Sequence, residues 1–139
     1  LRGEMARTIA RLFYFWVPLG AYAAAIFWLS SMSHPVPALA IPHLDKLLHL
    51  LEYAGFGFLA CRALALGGQG LSGRAALVAA ATLGALYGAS DELHQLYVPA
   101  RAADIFDWMA DITGATLGGL IYRIAALRPA GKAEEERTR

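Results

Sequence analysis

The chain has 139 residues, 58% of them hydrophobic and only 17% charged, with a formal net charge of +1 and a mean hydropathy of +0.45. A soluble domain of this length carries roughly a quarter charged residues, so the apolar surplus argues against a solvated globule and for a membrane. The length allows one domain, and the lack of a basic patch interleaved with aromatics disfavours nucleic acid as a partner.

Taken in chain order, residues 1–11 form an N-terminal segment carrying Arg2, Arg7 and Arg11. The first apolar segment spans about residues 12–32 and is rich in aromatics, with Pro18 one turn inside it at a place where a membrane helix tolerates a kink. Ala38-Leu39-Ala40 behind it looks like a cleavage site, but the segment is longer than the roughly 7–15 residues of a signal-peptide core, so it is read as a retained span. The loop at 33–44 holds Pro35, Pro37 and Pro42 and is not helical throughout. The second apolar segment, about 46–66, is closed by Gly67, Gly68 and Gly70. It contains Cys61, the single cysteine, which has no internal disulfide partner and reads as a small apolar core residue. The third segment runs over about 75–96, ended by Pro99, and the fourth over about 104–127, followed by a charged tail at 128–139.

A helix needs about 20 apolar residues to cross a hydrocarbon layer roughly 30 Å thick, and four segments approach that length. Short connections make neighbouring helices antiparallel. The expected fold is an all-α integral membrane bundle of four transmembrane helices, with residues 12–127 as the membrane domain. Orientation follows from the basic residues. Arg2, Arg7, Arg11, Arg62, Arg74, Arg123, Arg128, Lys132, Arg137 and Arg139 gather on one side, against only Lys46 and Arg101 on the other. The positive-inside rule then puts both termini in the cytoplasm.

The acids sort the opposite way. Glu4, Glu134, Glu135 and Glu136 lie in the terminal tails, whereas Asp45, Glu52, Asp91, Glu92, Asp104, Asp107 and Asp111 all fall at the outward ends of the second, third and fourth helices. His34, His43, His49 and His94 share that side. Helical spacing puts Asp45, His49 and Glu52 on one face, Asp104, Asp107 and Asp111 on another, and Asp91, His94 and Gln95 on a third. Seven residues of helix rise about 10 Å, so Glu52 and Asp111 are expected well below the surface, with Asp91 at similar depth. An unpaired Asp at a membrane helix centre costs about 2.5–3.5 kcal/mol, so these groups should face the bundle interior and find partners. Asp45 and Asp104 are also placed to cap helix N-termini, and Glu92, about 100° from Asp91, is placed to reach outward. Gly84 with Gly88 and Gly114 with Gly118 suggest a close approach of the third and fourth helices.

These residues carry a family resemblance. Asp45-Lys46-Leu47-Leu48-His49-Leu50-Leu51-Glu52-Tyr53 resembles the D-K-x-x-H-x-x-E-Y motif of the VanZ-like family, and Asp91-Glu92-Leu93-His94-Gln95 its D-E-x-H-Q motif. Val98-Pro99-Ala100-Arg101 followed by Asp104, Asp107 and Asp111 resembles its V-P-x-R-x-x-D-x-x-D motif. Two departures stand out: Ala100, where Gly is expected, and Asp111, where many relatives carry Asn. The resemblance covers about residues 45–119 and implies a small protein of the bacterial cytoplasmic membrane. The family's namesake is associated with low-level teicoplanin resistance, which supplies a cell-envelope setting and no reaction.

Three functions compete. An enzyme acting on a lipid or lipid-linked envelope precursor would draw its acid–base groups from Glu52, Asp91, His49 and His94. Asp45, Lys46, Tyr53, Glu92, Gln95, Arg101, Asp104, Asp107 and Asp111 would bind substrate, with Lys46 and Arg101 holding an anionic head group. A non-catalytic accessory protein would bind a lipid head group or a glycopeptide instead. A proton-linked transporter ranks third, because transport sites sit near the bilayer midplane between repeats and no repeat is visible. The His and carboxylate clusters could alternatively bind a divalent metal as Lewis acid, but no H-E-x-x-H motif is present, so no residue is assigned to a metal, and no cofactor or oligomeric state is specified.

Overall fold

A computed structural model of the protein describes residues 2–33 and 43–127. His34, the prolines and candidate cleavage site of the first loop, and the charged tail lie outside these residues. Among the described residues the chain is all helix: α1 (Arg2–Ser30), α2 (Leu44–Leu66), α3 (Gly73–Gln95) and α4 (Ile105–Leu127), with no strand. The last three have 23 residues each, a rise of about 35 Å. Their bounds fall within two residues of the sequence reading. α1 differs. It starts at Arg2 rather than near residue 12, because the first turns are built of helix-compatible residues whose polar side chains all project outward.

Local signals set the ends. α2 stops where the Gly67 N–H donates to the Ala63 carbonyl at 2.7 Å, and the turn beyond it uses positive φ at Gly68 and Gly70. The Ser72 side chain accepts from the Ala75 N–H and caps α3. After α3, the Arg101 N–H donates to the Val98 carbonyl at 3.1 Å across Pro99 and Ala100. Pro in the second position and φ of +63° in the third describe a type II turn, which ordinarily takes Gly where this chain has Ala100. That turn delivers Arg101 and Asp104 to the start of α4.

Packing is tightest between α2 and α4, which run parallel. A side chain at Gly118 would strike the Ala54 carbonyl, one at Gly114 the Leu50 carbonyl, and one at Gly57 the backbone of Ala115. Gly114 and Gly118 therefore open the way to α2, not to α3 as their spacing suggested. α3 meets α4 through its own glycines, with Gly84 facing the Ala115 methyl and Gly88 facing the Asp111 side chain. α1 is the outer member, tied by Trp16 Nε1 donating to the Gly67 carbonyl, Tyr22 to the Glu52 carbonyl, and Tyr87 to the Ala23 carbonyl. These contacts fix an up–down–up–down order.

The N-termini of α2 and α4 thus meet the C-termini of α1 and α3 at one end, and the buried groups divide accordingly. His49, Asp91, Glu92, Gln95, Asp107 and Asp111 are buried there. Toward the other end the core is Ala60, Cys61, Ala63, Leu64, Ala76 and Ala80. Cys61 is fully buried and free, as expected. Two helices, α1 and α2, are long and apolar enough to cross a membrane. α3 and α4 have the length but carry inward acids and small residues.

Candidate functional site

The polar end is built in three parts. Outermost, the Lys46 ammonium lies 2.9 Å from Asp45 Oδ2, 2.8 Å from Asp104 Oδ2 and 2.9 Å from Asp107 Oδ1. All three of its N–H groups are spent on carboxylates. Lys46 is therefore a cross-link between α2 and α4 rather than the free cation that head-group binding would use. Asp104 also accepts from the Phe106 N–H at 2.8 Å, which caps α4. Lys46 first, and then this backbone bond, hold the Asp104 carboxyl below the usual carboxylate range. Asp45 does not cap α2. The helix begins one residue earlier, after His43 in a left-handed conformation, and the Asp45 side chain turns to Lys46 instead.

Beneath this layer lies the core of the site. His49 from α2, Glu92 from α3 and Asp111 from α4 are all buried, and each offers a nitrogen or oxygen within 4.8 Å of the others. His49 Nδ1 is 2.9 Å from Asp111 Oδ1, and its Nε2 is 4.0 Å from Asp107 Oδ2. Glu92 Oε2 accepts from the Asp104 N–H at 2.7 Å. Glu92 does not reach outward as its angle from Asp91 suggested. It turns into the bundle, where the N-terminus of α4 supplies a donor. Gly88 makes the room for Asp111, since any side chain there would crowd its Cβ and Oδ2.

The third part faces α1. Asp91 Oδ2 accepts from the Ser30 hydroxyl at 2.8 Å. His94 Nε2 lies 3.0 Å from the Ser31 hydroxyl, and its ring stacks on Phe27 with centroids 4.4 Å apart. The four acid–base candidates are thus divided. His49 joins the α2–α3–α4 core, Asp91 and His94 turn to α1, and half-buried Glu52 stands between, within electrostatic reach of His49, Asp91, Asp111 and Arg101. Ser30, Ser31 and Phe27 were not singled out from sequence, because an isolated Ser at the end of an apolar run carries no motif.

Five buried side-chain atoms have no hydrogen-bond partner among the described residues: Tyr53 Oη, Glu92 Oε1, Gln95 Nε2, Arg101 Nε and Asp111 Oδ2. All five belong to residues the sequence motifs singled out. Buried polar groups are normally satisfied, and unsatisfied ones gathered in one place are a feature of sites that bind something. Arg101, with its open Nε, is the cation left to meet an anion once Lys46 is committed.

A family model described as VanZ/LLP1 matches residues 3–126. No curated protein and no solved structure matches the chain. Two apolar helices together with this match are compatible with a membrane protein. With a match over most of its length, and with all three motifs converging on one end of the bundle, the chain belongs to the VanZ-like family.

Proposed function

We propose that the chain spans the bacterial cytoplasmic membrane four times, with both termini inside and the polar end outward, and that it acts there on a lipid or lipid-linked cell-envelope precursor. Large apolar side chains stand exposed on every helix, among them Phe13 and Trp28 on α1, Leu51 on α2, Val78 and Leu86 on α3, and Ile121 and Ile124 on α4, while carboxylates are buried. This inside-out distribution suits a lipid solvent and extends the membrane reading to α3 and α4, whose inward acids lower their hydropathy. The excess of arginine at the opposite end supports the orientation. With Cys61 replaced by Ala, a cysteine at Ala102 should react with an impermeant reagent outside intact cells and one at Ser72 should not. Labelling at Ser72 would move the site to the cytoplasm.

The single observation that carries the activity is the position of half-buried Glu52 within electrostatic reach of Arg101 and of Asp111, whose Oδ2 is unpartnered. A guanidinium beside carboxylates at the edge of an apolar bundle suits an amphiphile with an anionic head group, and Glu52 has no hydrogen-bond donor to its carboxylate among the described residues. The envelope setting of the family's namesake, including its link to teicoplanin resistance, agrees with such a substrate. Mass spectrometry of envelope lipids from cells carrying the protein or Glu52→Gln tests the reading. A lipid mass change present with the native protein and lost with Glu52→Gln is the expected result. Lipid retained by the purified protein with no mass change in cells would establish the accessory role instead, and proton-coupled flux in vesicles would establish transport.

A further inference from the structure

We propose that His49, Glu92 and Asp111 form a binding site for a divalent cation of the zinc or manganese class. One imidazole and two carboxylates are a common donor set for such ions, with bonds of about 2.0–2.2 Å. Donors at that distance from one centre lie at most about 4.2 Å apart. The three groups are already within 4.8 Å of each other, so a contraction of about half an ångström completes the cage.

Two independent features single these residues out from an ordinary acidic cluster. First, Asp111 is 0% exposed with Oδ2 unpartnered, and Glu92 is 7% exposed with Oε1 unpartnered. Each carboxylate keeps one oxygen committed and one free, which is the arrangement of an oriented ligand. Second, the committed atoms make the contacts that hold metal ligands in place. Glu92 Oε2 is fixed by the Asp104 N–H, and the His49 ring is turned so that Nδ1 lies 2.9 Å from Asp111 Oδ1. An ion seated among the three groups would replace that contact and take the imidazole through Nδ1, the nitrogen turned toward Asp111. Each ligand also comes from a different helix, so the site rests on rigid elements.

Charge points the same way. The acids Asp45, Glu52, Asp91, Glu92, Asp104, Asp107 and Asp111 share this end with two fixed cations, Lys46 and Arg101. Lys46 is spent on Asp45, Asp104 and Asp107 and reaches neither Glu92 nor Asp111. Among the described residues Glu92 has no ion-pair partner and Asp111 has only His49, and buried carboxylates so placed are costly, whereas a divalent ion neutralises two at once. Calcium, which takes six to eight oxygens, fits three donors including an imidazole poorly. Cation binding at these residues is read on purified protein with no lipid substrate added.

The test uses the full chain in detergent, stripped with chelator and dialysed, then titrated separately with Zn²⁺, Mn²⁺, Mg²⁺ and Ca²⁺. One Zn²⁺ or Mn²⁺ per chain is expected to bind and to raise the Tm by several degrees, while Mg²⁺ and Ca²⁺ bind at least tenfold more weakly. Glu92→Gln and Asp111→Asn should lose about a hundredfold in affinity, while Asp45→Asn, which removes one exposed partner of Lys46 outside the cage, should change it less than threefold. Should either core variant fail to fold, pulsed electron paramagnetic resonance of Mn²⁺ on the native chain, with ¹⁵N-labelled histidine, decides by itself. One coupled imidazole nitrogen is expected. No binding to the native chain, binding without histidine coupling, or equal binding by Asp45→Asn and the folded core variants would each overturn the proposal.

Discussion

The two ends of this bundle use the same four helices to solve different packing problems. Around Cys61, Ala63 and Ala80 the interior is small and apolar, and leading into it the helices α2 and α4 are held by backbone approaching backbone at Gly57 and Gly118. Around His49, Glu92 and Asp111 the interior is ionisable, and the two carboxylates each have a named partner on one oxygen and none on the other among the described residues. At the first end a glycine matters because nothing fits in its place. At the second, Gly88 matters because a carboxylate has been fitted there. Close backbone packing and ionisable chemistry thus dominate different lengths of the bundle, and they meet where Gly114 on α4 approaches the Leu50 carbonyl beside His49. Substitutions at the two ends should fail in different ways.

The largest effect is expected on the α2–α4 seam. Gly118→Leu forces a side chain into the Ala54 carbonyl and the backbone of Phe58, neither of which yields without parting the helices. The cost should exceed about 3 kcal/mol, at the upper end of overpacking, and folded yield in detergent should collapse. Gly20→Leu on α1, where nothing lies within 4 Å, should fold normally. Equal yields would show that the seam is looser than its glycines imply.

Next comes a comparison of two cations. Lys46→Met leaves three carboxylates facing one another at the polar end. Breaking a buried pair costs about 3–5 kcal/mol. Only Asp107 is as well shielded as that figure assumes, since Lys46 is 25% exposed and Asp45 58% exposed, so solvent screening brings the expected loss to about 2 kcal/mol. Arg62, at the apolar end, stacks 4.6 Å from the Phe15 ring centre and 5.0 Å from that of Tyr14. Arg62→Met should cost about 0.5–1 kcal/mol, the worth of an exposed cation–π contact. Thermal melts of both variants in one detergent compare them. A larger loss at Arg62 would place the electrostatic cross-link of the bundle at the wrong end.

The contrast between the ends also explains what could be read from sequence. The apolar stretches of α2, α3 and α4 were legible because glycine and proline punctuate them. The start of α1 was not, because hydropathy registers the apolar run from Leu12 and is blind to a charged helix leading into it. The site residues were legible as a set, since helical spacing puts each group of acids on a face. Their pairing was not. A helical wheel places Glu92 away from Asp91 but cannot say that the turned-in neighbour is the N-terminus of α4, whose Asp104 N–H draws Glu92 inward. The same limit hid the candidate cation cage, whose three ligands come from three helices and so leave no local motif. It also hid the true partner of Gly114 and Gly118, because spacing on one helix does not say which helix faces it.

A smaller effect follows from pH. Asp104 has its carboxyl held below the ordinary value by Lys46 and the Phe106 N–H. A group whose folded value is depressed stabilises the fold fully above its unfolded value and loses that contribution as pH falls through the folded one. The melting temperature should therefore hold steady from neutral pH down to the usual carboxylate range and fall below it. Asp104→Asn should flatten the part of that fall belonging to the Lys46 cluster, while Arg62→Met, which has no carboxylate in its contact, should leave the profile unchanged in shape. An Asp104→Asn profile that parallels the native one would mean that Lys46 gains nothing from this partner.

The smallest expected effect tests the turn that feeds the polar end. Ala100 sits at φ +63° in the third position of the Val98–Arg101 turn, where an L side chain pays a steric cost that Gly does not. Replacing Ala by Gly also loosens the unfolded chain, which offsets part of the gain. The net stabilisation from Ala100→Gly should be about 0.5–1 kcal/mol, seen as a rise of a few degrees in Tm. Because the turn positions Arg101 and Asp104, the variant should keep cation binding and lipid turnover unchanged while melting higher. Ala100→Val provides the opposite arm, since a β-branched residue is strained further at positive φ and should lower the Tm. If Ala100→Gly instead lowered the Tm, the turn would owe its shape to contacts of the alanine methyl rather than to backbone preference, and the Gly expected at this place would have to be explained by something other than φ.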